Sequence, residues 1–459
     1  MFQPEASSFG LYDCWRKMKE WLTKKINRSI LLPEFICGLF VLLFFTVQLF
    51  IFGPAGYRNI TIVKYITFLV LSGCFAAAML AVRFFYGKVS SGPRQVISAT
   101  EFCIILYVLL TLISAVFSEF FPDTIVGAHR REGALTICIY AMIFFLVERN
   151  ICTGKWVIYL LGVVTTLFSL VCILQFFKIN PLWLFPEGLN YYDGGIKYSG
   201  EFLGTLGNAG LTAAFLCLTI PILIIYSFRA NEKERFLLII PIIIGAAVLV
   251  KSKIAAGILG LAAGLFFIFP FVIGRTKKTR IVLVLFEALL FAVFLAVVYV
   301  CEFDNRTLSE FHGILHGNFD DSYGSSRIFI WKHTLPLIPE RPILGGGADT
   351  LADRIGVIFE TVKDDGTVRK ASIDAAHNEY LNIMVCQGIP AFIAYASALI
   401  STFVKYVKSE SRKPATAAFA AGMMCYCVQA FFGISVFICT PYFWIIWGLL
   451  ECCLRSRDY

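Results

Sequence analysis

A histidine, several arginines and two lysines stand at the ends of apolar runs, where a hydrophobic chain has little use for charge. His377 and Asn378 lie in "DAAHNEYLNIMVCQGIPAF", Asp374 to Phe392, where a polar run turns into an apolar helix. Histidine is the side chain best suited to take a proton near neutral pH. Arg327 and Trp331, in "SSRIFIWKHTLPLI", are four residues apart and share one face of a helix. Arg130 and Arg131 precede an apolar run in "GAHRREGAL", and Lys251 and Lys253 flank Ser252 in a short break between two others. Together the cations suit a di-anionic group and the histidine suits activation of a hydroxyl. That is the chemistry of displacing a pyrophosphate: arginine and lysine stabilise the charge that develops on the departing phosphate.

Each of these residues also has a plainer reading. A lone histidine at a membrane boundary is often structural. Arg130, Arg131, Lys251 and Lys253 can snorkel to headgroups, and Arg327 with Trp331 can be an interfacial anchor. The glycines of "RPILGGGADT" allow a tight turn or a close approach. No Lys-Ser/Thr pair follows them, so they are not a phosphate loop of the Walker type. The functional reading gains weight because the cations and all five histidines share one compartment in the topology below.

Of the 459 residues, 58% are hydrophobic and 15% charged, and the mean hydropathy is +0.76. A soluble chain of this length needs more charge to cover its surface, so the expectation is an all-α integral membrane protein. The alternation of a membrane β-barrel is absent. No signal-peptide pattern opens the chain. The 15 cysteines form no CxxC pair or Cys/His cluster, which predicts neither a zinc site nor a disulfide framework. The apolar runs predict about twelve spans, near 31–52, 65–86, 101–118, 134–149, 155–177, 208–229, 235–250, 254–274, 280–301, 388–407, 414–433 and 437–454.

Basic residues orient these spans. Arg16 to Arg28, the cluster Arg275/Lys277/Lys278/Arg280 and the cluster Lys405/Lys408/Arg412/Lys413 fall on one side if the chain breaks at Lys251–Lys253. By the positive-inside rule that side is cytoplasmic, with both termini inside. The net charge of +9 is then mainly a topology signal, and no nucleic-acid partner is expected. The division is a basic cytoplasmic segment 1–30, spans one to nine over 31–301, a large extracytoplasmic loop 302–387, and spans ten to twelve with a cytoplasmic tail over 388–459. Within the loop, "GVIFETVKDDGTVRKASI" predicts a hairpin turning at Asp365-Gly366. "SSRIFIWKHTLPLI" predicts an amphipathic helix at the interface, anchored by Trp331.

The motifs resemble the O-antigen ligase and polymerase superfamily. "HNEYLNIMVCQGIPAF" looks like the H-N-x-x-L…G signature that ends its large outer loop. "SRIFIWKHTLPLIPERPILGGG" resembles its preceding arginine, tryptophan, proline and G-x-G pattern. "GAHRREGAL" is similar to its early arginine-glycine motif. "GTLGNAGLTAAFL" resembles its G-N-x-N-x-x-A/G helix start, with Ala209 and Gly210 in place of proline and asparagine. "VKSKIAAGILGLAAG" resembles its S-R-x-A-x-x-G start, with Lys253 in place of arginine.

The resemblance implies a helical membrane fold of the lipid-sugar glycosyltransferase (GT-C) kind. It implies transfer of a glycan from a polyprenyl-pyrophosphate carrier to a glycan, lipid or other hydroxyl acceptor on the outer face of the cytoplasmic membrane. Neither cofactor nor metal is implied. The family's catalytic histidine corresponds to His377, its loop arginine to Arg327 and its helix-start arginine to Lys253, with Lys251 as the other candidate. Arg130 and Arg131 would assist at the pyrophosphate, with Asn378 and Trp331 as supporting motif residues. Trp183, Tyr191, Tyr192 and Tyr198 would stack on sugars or form an aromatic belt. Ligase, polymerase and protein oligosaccharyltransferase share these motifs. A transporter or flippase of lipid-linked glycans is the competing class; it would more often carry mid-membrane charges and paired repeats.

Overall fold

The structure, a computed structural model, describes residues 28–86, 97–151, 154–185, 202–362, 368–409 and 413–455. Every stretch expected to span contains a helix. The first helices are α1 (Arg28–Leu43, continuing through a π-turn to Gln48), α2 (Ile60–Tyr86), α3 (Ala99–Val116), a single turn α4 (Asp123–Val126), α5 (Ala134–Asn150) and α6 (Lys155–Phe176). Then come α7 (Ala209–Ser227), α8 (Glu232–Lys251), α9 (Ala255–Ile273) and α10 (Lys277–Val300). The large loop holds α11 (Arg306–Leu315), α12 (Tyr323–Thr334), α13 (Leu351–Ile355), the antiparallel pair β1 (Ile358–Val362) and β2 (Val368–Ser372), and α14 (Glu379–Gln387). The chain closes with α15 (Ile389–Lys408), α16 (Pro414–Ala430) and α17 (Thr440–Arg455). The expected hairpin is thus present as paired strands, while its turn at Asp365-Gly366 lies outside the described residues.

Seven helices among the described residues, α2, α3, α6, α7, α9, α10 and α15, are long and apolar enough to cross a membrane, by length and composition. The others are shorter or more charged: α5 and α16 have 17 residues and α17 has 16. The expected break at Lys251–Lys253 is observed between α8 and α9. One boundary differs. α2 begins at Ile60, ahead of the expected start near residue 65, and so takes in the charged Lys64. Lys64 is fully buried, and its ammonium donates to the carbonyls of Gln48 (2.8 Å) and Leu49 (2.9 Å) at the end of α1. A cation there satisfies carbonyls that the helix end leaves open, so its charge does not end α2.

α7 is the central helix, with 83% of its apolar window buried, while α10 is peripheral at 6%. α16 packs on α7 and α9 through small residues. A Cβ at Gly422 would lie 2.5 Å from Ile222, and one at Gly264 would lie 2.4 Å from the Cys425 backbone. Lipid chains are as apolar as leucine, so close backbone approach is what holds such helices together.

The two ends of the bundle differ in chemistry. At one end the basic clusters meet: Arg280 donates to the carbonyls of Gly274 (3.0 Å) and Val407 (2.7 Å). Beside them, buried Glu101 closes a capping box on α3 with Ser98 and pairs with Arg149 and, at 2.5 Å, with Arg455. Arg455 also reaches Glu148 at 2.9 Å, and Lys405 pairs with buried Glu451. This clasp ties together the ends of α3, α5, α15 and α17. Breaking a buried pair from one side leaves an uncompensated charge. Glu101→Ala should therefore destabilise the protein by about 3 kcal/mol, seen as a lower midpoint in thermal unfolding of the detergent-purified protein. An unchanged midpoint would show that the clasp contributes nothing.

Candidate functional site

The other end of the bundle carries the polar residues singled out by the sequence. His377 stands one residue before the N-cap of α14. Asn378 is that cap, and its side-chain oxygen accepts from the Leu381 N–H at 3.0 Å. His377 itself has φ 49°, in the left-handed region, a conformation that costs a non-glycine residue about 1–3 kcal/mol. Neighbours hold it there through one residue, Ala376. The Asn382 side-chain oxygen accepts the Ala376 N–H at 3.2 Å, and the Trp331 indole N–H donates to the Ala376 carbonyl at 2.9 Å. Trp331, expected as an interfacial anchor, thus works as a bracket, with its ring edge-on to Phe431. The helical part of α12 begins only at Arg327, because Gly324, Ser325 and Ser326 are left-handed.

The glycine run forms the floor beneath α14. Gly346 and Gly347 donate to the carbonyls of Val385 (3.1 Å) and Cys386 (2.7 Å), at the C-terminal end of α14. Gly345 has φ 63°, and a Cβ there would lie 2.5 Å from the Cys386 backbone. These glycines serve close packing of backbones. The run also delivers Asp349, whose carboxylate accepts the N–H groups of His129 (3.0 Å) and Arg130 (2.7 Å). Burial pushes the Asp349 carboxyl above the usual carboxylate range, against the pull of those two bonds.

Arg130 and His377 line one small pocket, together with Glu132, Asp374, Glu379 and the stretch Gly433–Ser435. The Arg130 guanidinium donates to Asp374 at 2.6 Å, while its buried Nε–H has no acceptor among the described residues. Arg327 donates to the Phe432 carbonyl twice, at 3.1 and 2.9 Å, and to that of Gly324. Those bonds use three of a guanidinium's five N–H groups. His377 is half-buried. Desolvation, reinforced by Arg130 and Arg327 and opposed by Asp374, pushes its pKa down to about 4. At neutral pH the ring is therefore uncharged and has a lone pair available to accept a proton.

The remaining candidates lie elsewhere. Arg131 is exposed, with its guanidinium 5.6 Å from the Tyr65 ring centre. Lys251 and Lys253 are exposed, Lys253 with φ 54°, and neither lines the His377 pocket. α9 runs antiparallel to α16, with Gly264 at Cys425 and Gly260 at Gln429. Its first turn thus reaches the level of the loop after α16, on the same end as the pocket. Trp183 is exposed, and Tyr191, Tyr192 and Tyr198 lie outside the described residues. Sequence reasoning missed Asp349, Asp374, Glu379 and Ser435 as parts of this site. Asp374 and Glu379 flank His377 within three residues, a signal that was open to use. Nothing in the spacing shows that Phe432 returns to Arg327 or Ser435 to Glu132.

Residues 240–396 match the family model described as O-antigen ligase. The chain carries an O-antigen ligase domain. No curated protein matches the chain. The ligase domain runs from within α8 to within α15 and includes Lys251, Lys253, Arg327, Trp331, His377 and Asn378. Arg130 and the loop after α16 lie outside it and complete the pocket from the flanking helices. Together with the apolar helices, the domain gives the protein a membrane glycan-transfer role in polysaccharide assembly.

Trp331→Phe keeps a ring against Phe431 but leaves the buried Ala376 carbonyl without its donor, a loss of about 1–3 kcal/mol. If that bond holds the His377 turn, glycan transfer should fall about tenfold or more at normal protein level, read as surface glycan against an immunoblot. Wild-type transfer would show that the turn is held by Asn378 and Asn382 alone.

Proposed function

We propose that the protein transfers a glycan from a polyprenyl-pyrophosphate carrier to an acceptor hydroxyl on the outer face of the cytoplasmic membrane. The observation that carries this reading is the His377 pocket. It brings a neutral, half-buried imidazole together with Arg130, whose buried Nε–H is unspent, and Arg327 lies close enough to act on the charge of the ring. The twelve apolar helices all cross the membrane, with both termini inside. Support comes from the gathering of the basic clusters 275–280 and 405–408 at the end opposite His377. α15, which starts beside the glycine turn and ends beside Arg280, is about 30 Å long, the thickness of a bilayer core.

In this mechanism the carrier's pyrophosphate lies at the pocket mouth, held there by its lipid. The Arg130 Nε–H and the free N–H groups of Arg327 bind it. Lys251 or Lys253 meets it from the first turn of α9. His377 takes the proton of the acceptor hydroxyl as the oxygen attacks the anomeric carbon. The bond from that carbon to the phosphate oxygen breaks, and its electron pair leaves with the diphosphate. Arg327 and Arg130 stabilise that charge in place of a metal ion. The resting pKa of about 4 makes His377 a weak base. A bound diphosphate offsets the two arginines and raises it, so base strength arrives with the donor.

His377→Ala should lower transfer by about 10²–10⁴-fold with normal membrane insertion. His377→Gln should fail equally, because an amide accepts a hydrogen bond but not a proton. Near wild-type transfer in either purified variant would remove His377 from the mechanism. The His377→Ala strain also separates the related activities on a gel of surface and carrier-linked glycan. Collapse of the ladder to single repeats identifies a polymerase. A full ladder retained on the carrier identifies a ligase. Unchanged ladders with repeats trapped on the inner leaflet would reject both and identify a flippase.

Arg327→Lys should lose most activity, because a planar fork becomes a point charge and the paired bonds to Phe432 are lost. Steady-state rates check this. Full activity in the lysine variant would show that the position needs charge alone.

A further inference from the structure

Below the His377 pocket lies a second cavity, lined by residues of several helices and large enough for ordered water. The two share Glu132, Asp349, Glu379, Asn382 and Ser435, so they are neighbouring chambers with a common wall. The lower chamber is polar although α3, α5, α15 and α17 surround it. Two of its side-chain oxygens, Glu379 Oε2 and Gln387 Oε1, have no hydrogen-bond partner among the described residues, and both residues are at least 95% buried. Unpaired buried oxygens beside a cavity are where ordered water sits. The remaining carboxylate oxygens are held. Glu379 accepts from the Tyr395 hydroxyl at 2.7 Å, and Glu132 accepts from Tyr140 at 2.6 Å and Ser435 at 3.1 Å.

We propose that this chamber is the proton store of the site, with Glu379 receiving, through cavity water, the proton that His377 takes from the acceptor hydroxyl, and Glu132 beside it in the same water-lined chamber. The inference rests on the transfer mechanism above and adds where the proton goes. The hydroxyl proton moves to the imidazole as the new glycosidic bond forms, then from the imidazolium to a carboxylate of the chamber, and later to outside water through the pocket mouth. No electron is gained or lost. Once the diphosphate departs, Arg130 and Arg327 again face the ring, and an imidazolium between two guanidiniums is unfavourable. Burial acts the other way on the acids: it pushes Glu379 up to about 7 and Glu132 up to about 8. Transfer from His377 to Glu379 is therefore downhill, and near neutral pH Glu379 is partly ionised and able to take the proton, whereas Glu132 largely holds one already. Neither glutamate is assigned contact with substrate; they are positioning and relay residues.

Four other titratable groups line the chamber, Tyr107 on α3, Tyr140 on α5, Tyr395 on α15 and Asp349, and Tyr380, Tyr426, Cys427 and Cys439 lie within electrostatic reach of Glu379 from α14, α16 and the residue before α17. Phenols and thiols ordinarily titrate above pH 8. Asp349 is held by two backbone N–H groups. Burial raises Asp349 as well, so a limb near pH 7 is assigned to the glutamates by its loss in their glutamine variants.

The test uses the full chain with glutamine at each position. Glutamine retains the hydrogen bonds from Tyr395 or from Tyr140 and Ser435, so a purely structural role survives the change. The first readout needs no substrate. Infrared titration of the purified wild type should show a protonated-carboxyl band at pH 7 that fades as pH rises through 7 to 8. Glu132→Gln and Glu379→Gln should each remove part of it. The second readout is transfer rate against pH, in membranes carrying the host cell's own lipid-linked glycan. The wild-type rate should fall as pH drops through about 7 because Glu379 fills. Glu379→Gln should lower kcat on the order of tenfold, leave KM unchanged and lose that limb. An absent carboxyl band, or a wild-type rate and pH profile in both variants, would overturn the proton store. Loss of activity in His377→Gln together with either of those results would leave the base standing and reject only the chamber.

Discussion

One residue, Ala376, bears the geometry of the site. Its N–H is held by Asn382 and its carbonyl by the Trp331 indole, and the next residue, His377, sits in the left-handed region. A histidine left to itself would relax out of that conformation. The strain persists because α12 and α14 fix the backbone from opposite sides, and Asn378 then starts α14 with its side chain as cap. Arginine-tryptophan and histidine-asparagine motifs that lie 50 residues apart (Arg327 and His377) are therefore one mechanical unit. The tryptophan places the turn, and the same helix places Arg327 against the carbonyl of Phe432.

That unit needs a rigid floor. The glycine run bonds to the last turn of α14, and the Ile389 N–H donates to Pro342 at 2.9 Å as α15 begins. A Cβ at Gly388 would meet the Ile343 carbonyl at 2.1 Å, and φ is 92° there, so only glycine fits that joint. Ser114 and Ser118 on and after α3 donate to the carbonyls of Leu344 and Gly346. Membrane helices thus grip the loop through backbone groups, and the loop positions its histidine relative to Arg130, which enters from before α5. The glycines seemed, from sequence, either a turn or a ligand cradle. Packing settles them as a joint, because their neighbours are other backbone atoms.

Element positions were legible because hydrophobicity in a lipid-facing bundle is nearly binary, and caps such as Ser98, Asn208 and Asn378 mark helix starts. The start of α2 was less legible, because Lys64 lies inside it and the carbonyls that satisfy its charge belong to another helix. The site was legible where its residues are close in sequence or carry a recurrent pattern: His377, Arg327, Trp331. It was illegible where separate helices converge. Ser435, Asp349 and Glu132 meet only because α5, α17 and the loop pack at one end, and no local periodicity encodes that meeting. Arg131, adjacent to Arg130 in sequence, points to Tyr65 instead; alternation of backbone direction at φ 61° divides the pair.

The pocket holds more carboxylates than arginines, which at first sight opposes binding of a diphosphate. Their environments resolve this. Asp374 is spent on the Arg130 guanidinium and Asp349 on two backbone N–H groups, so both orient Arg130 and keep it from turning out to water. A long cation at a membrane surface otherwise follows solvent. Glu132 and Glu379 lie deeper, and burial raises their pKa values, so near neutral pH Glu132 is mostly uncharged and Glu379 only partly charged, and they repel an anion less than free carboxylates would. The arginines keep their charge at the mouth while the acids below trade theirs for protons. On the proposed mechanism, a site arranged in this order, cations outside, a neutral base between and acids of raised pKa beneath, attracts the diphosphate from one side and takes up a proton at Glu379 on the other.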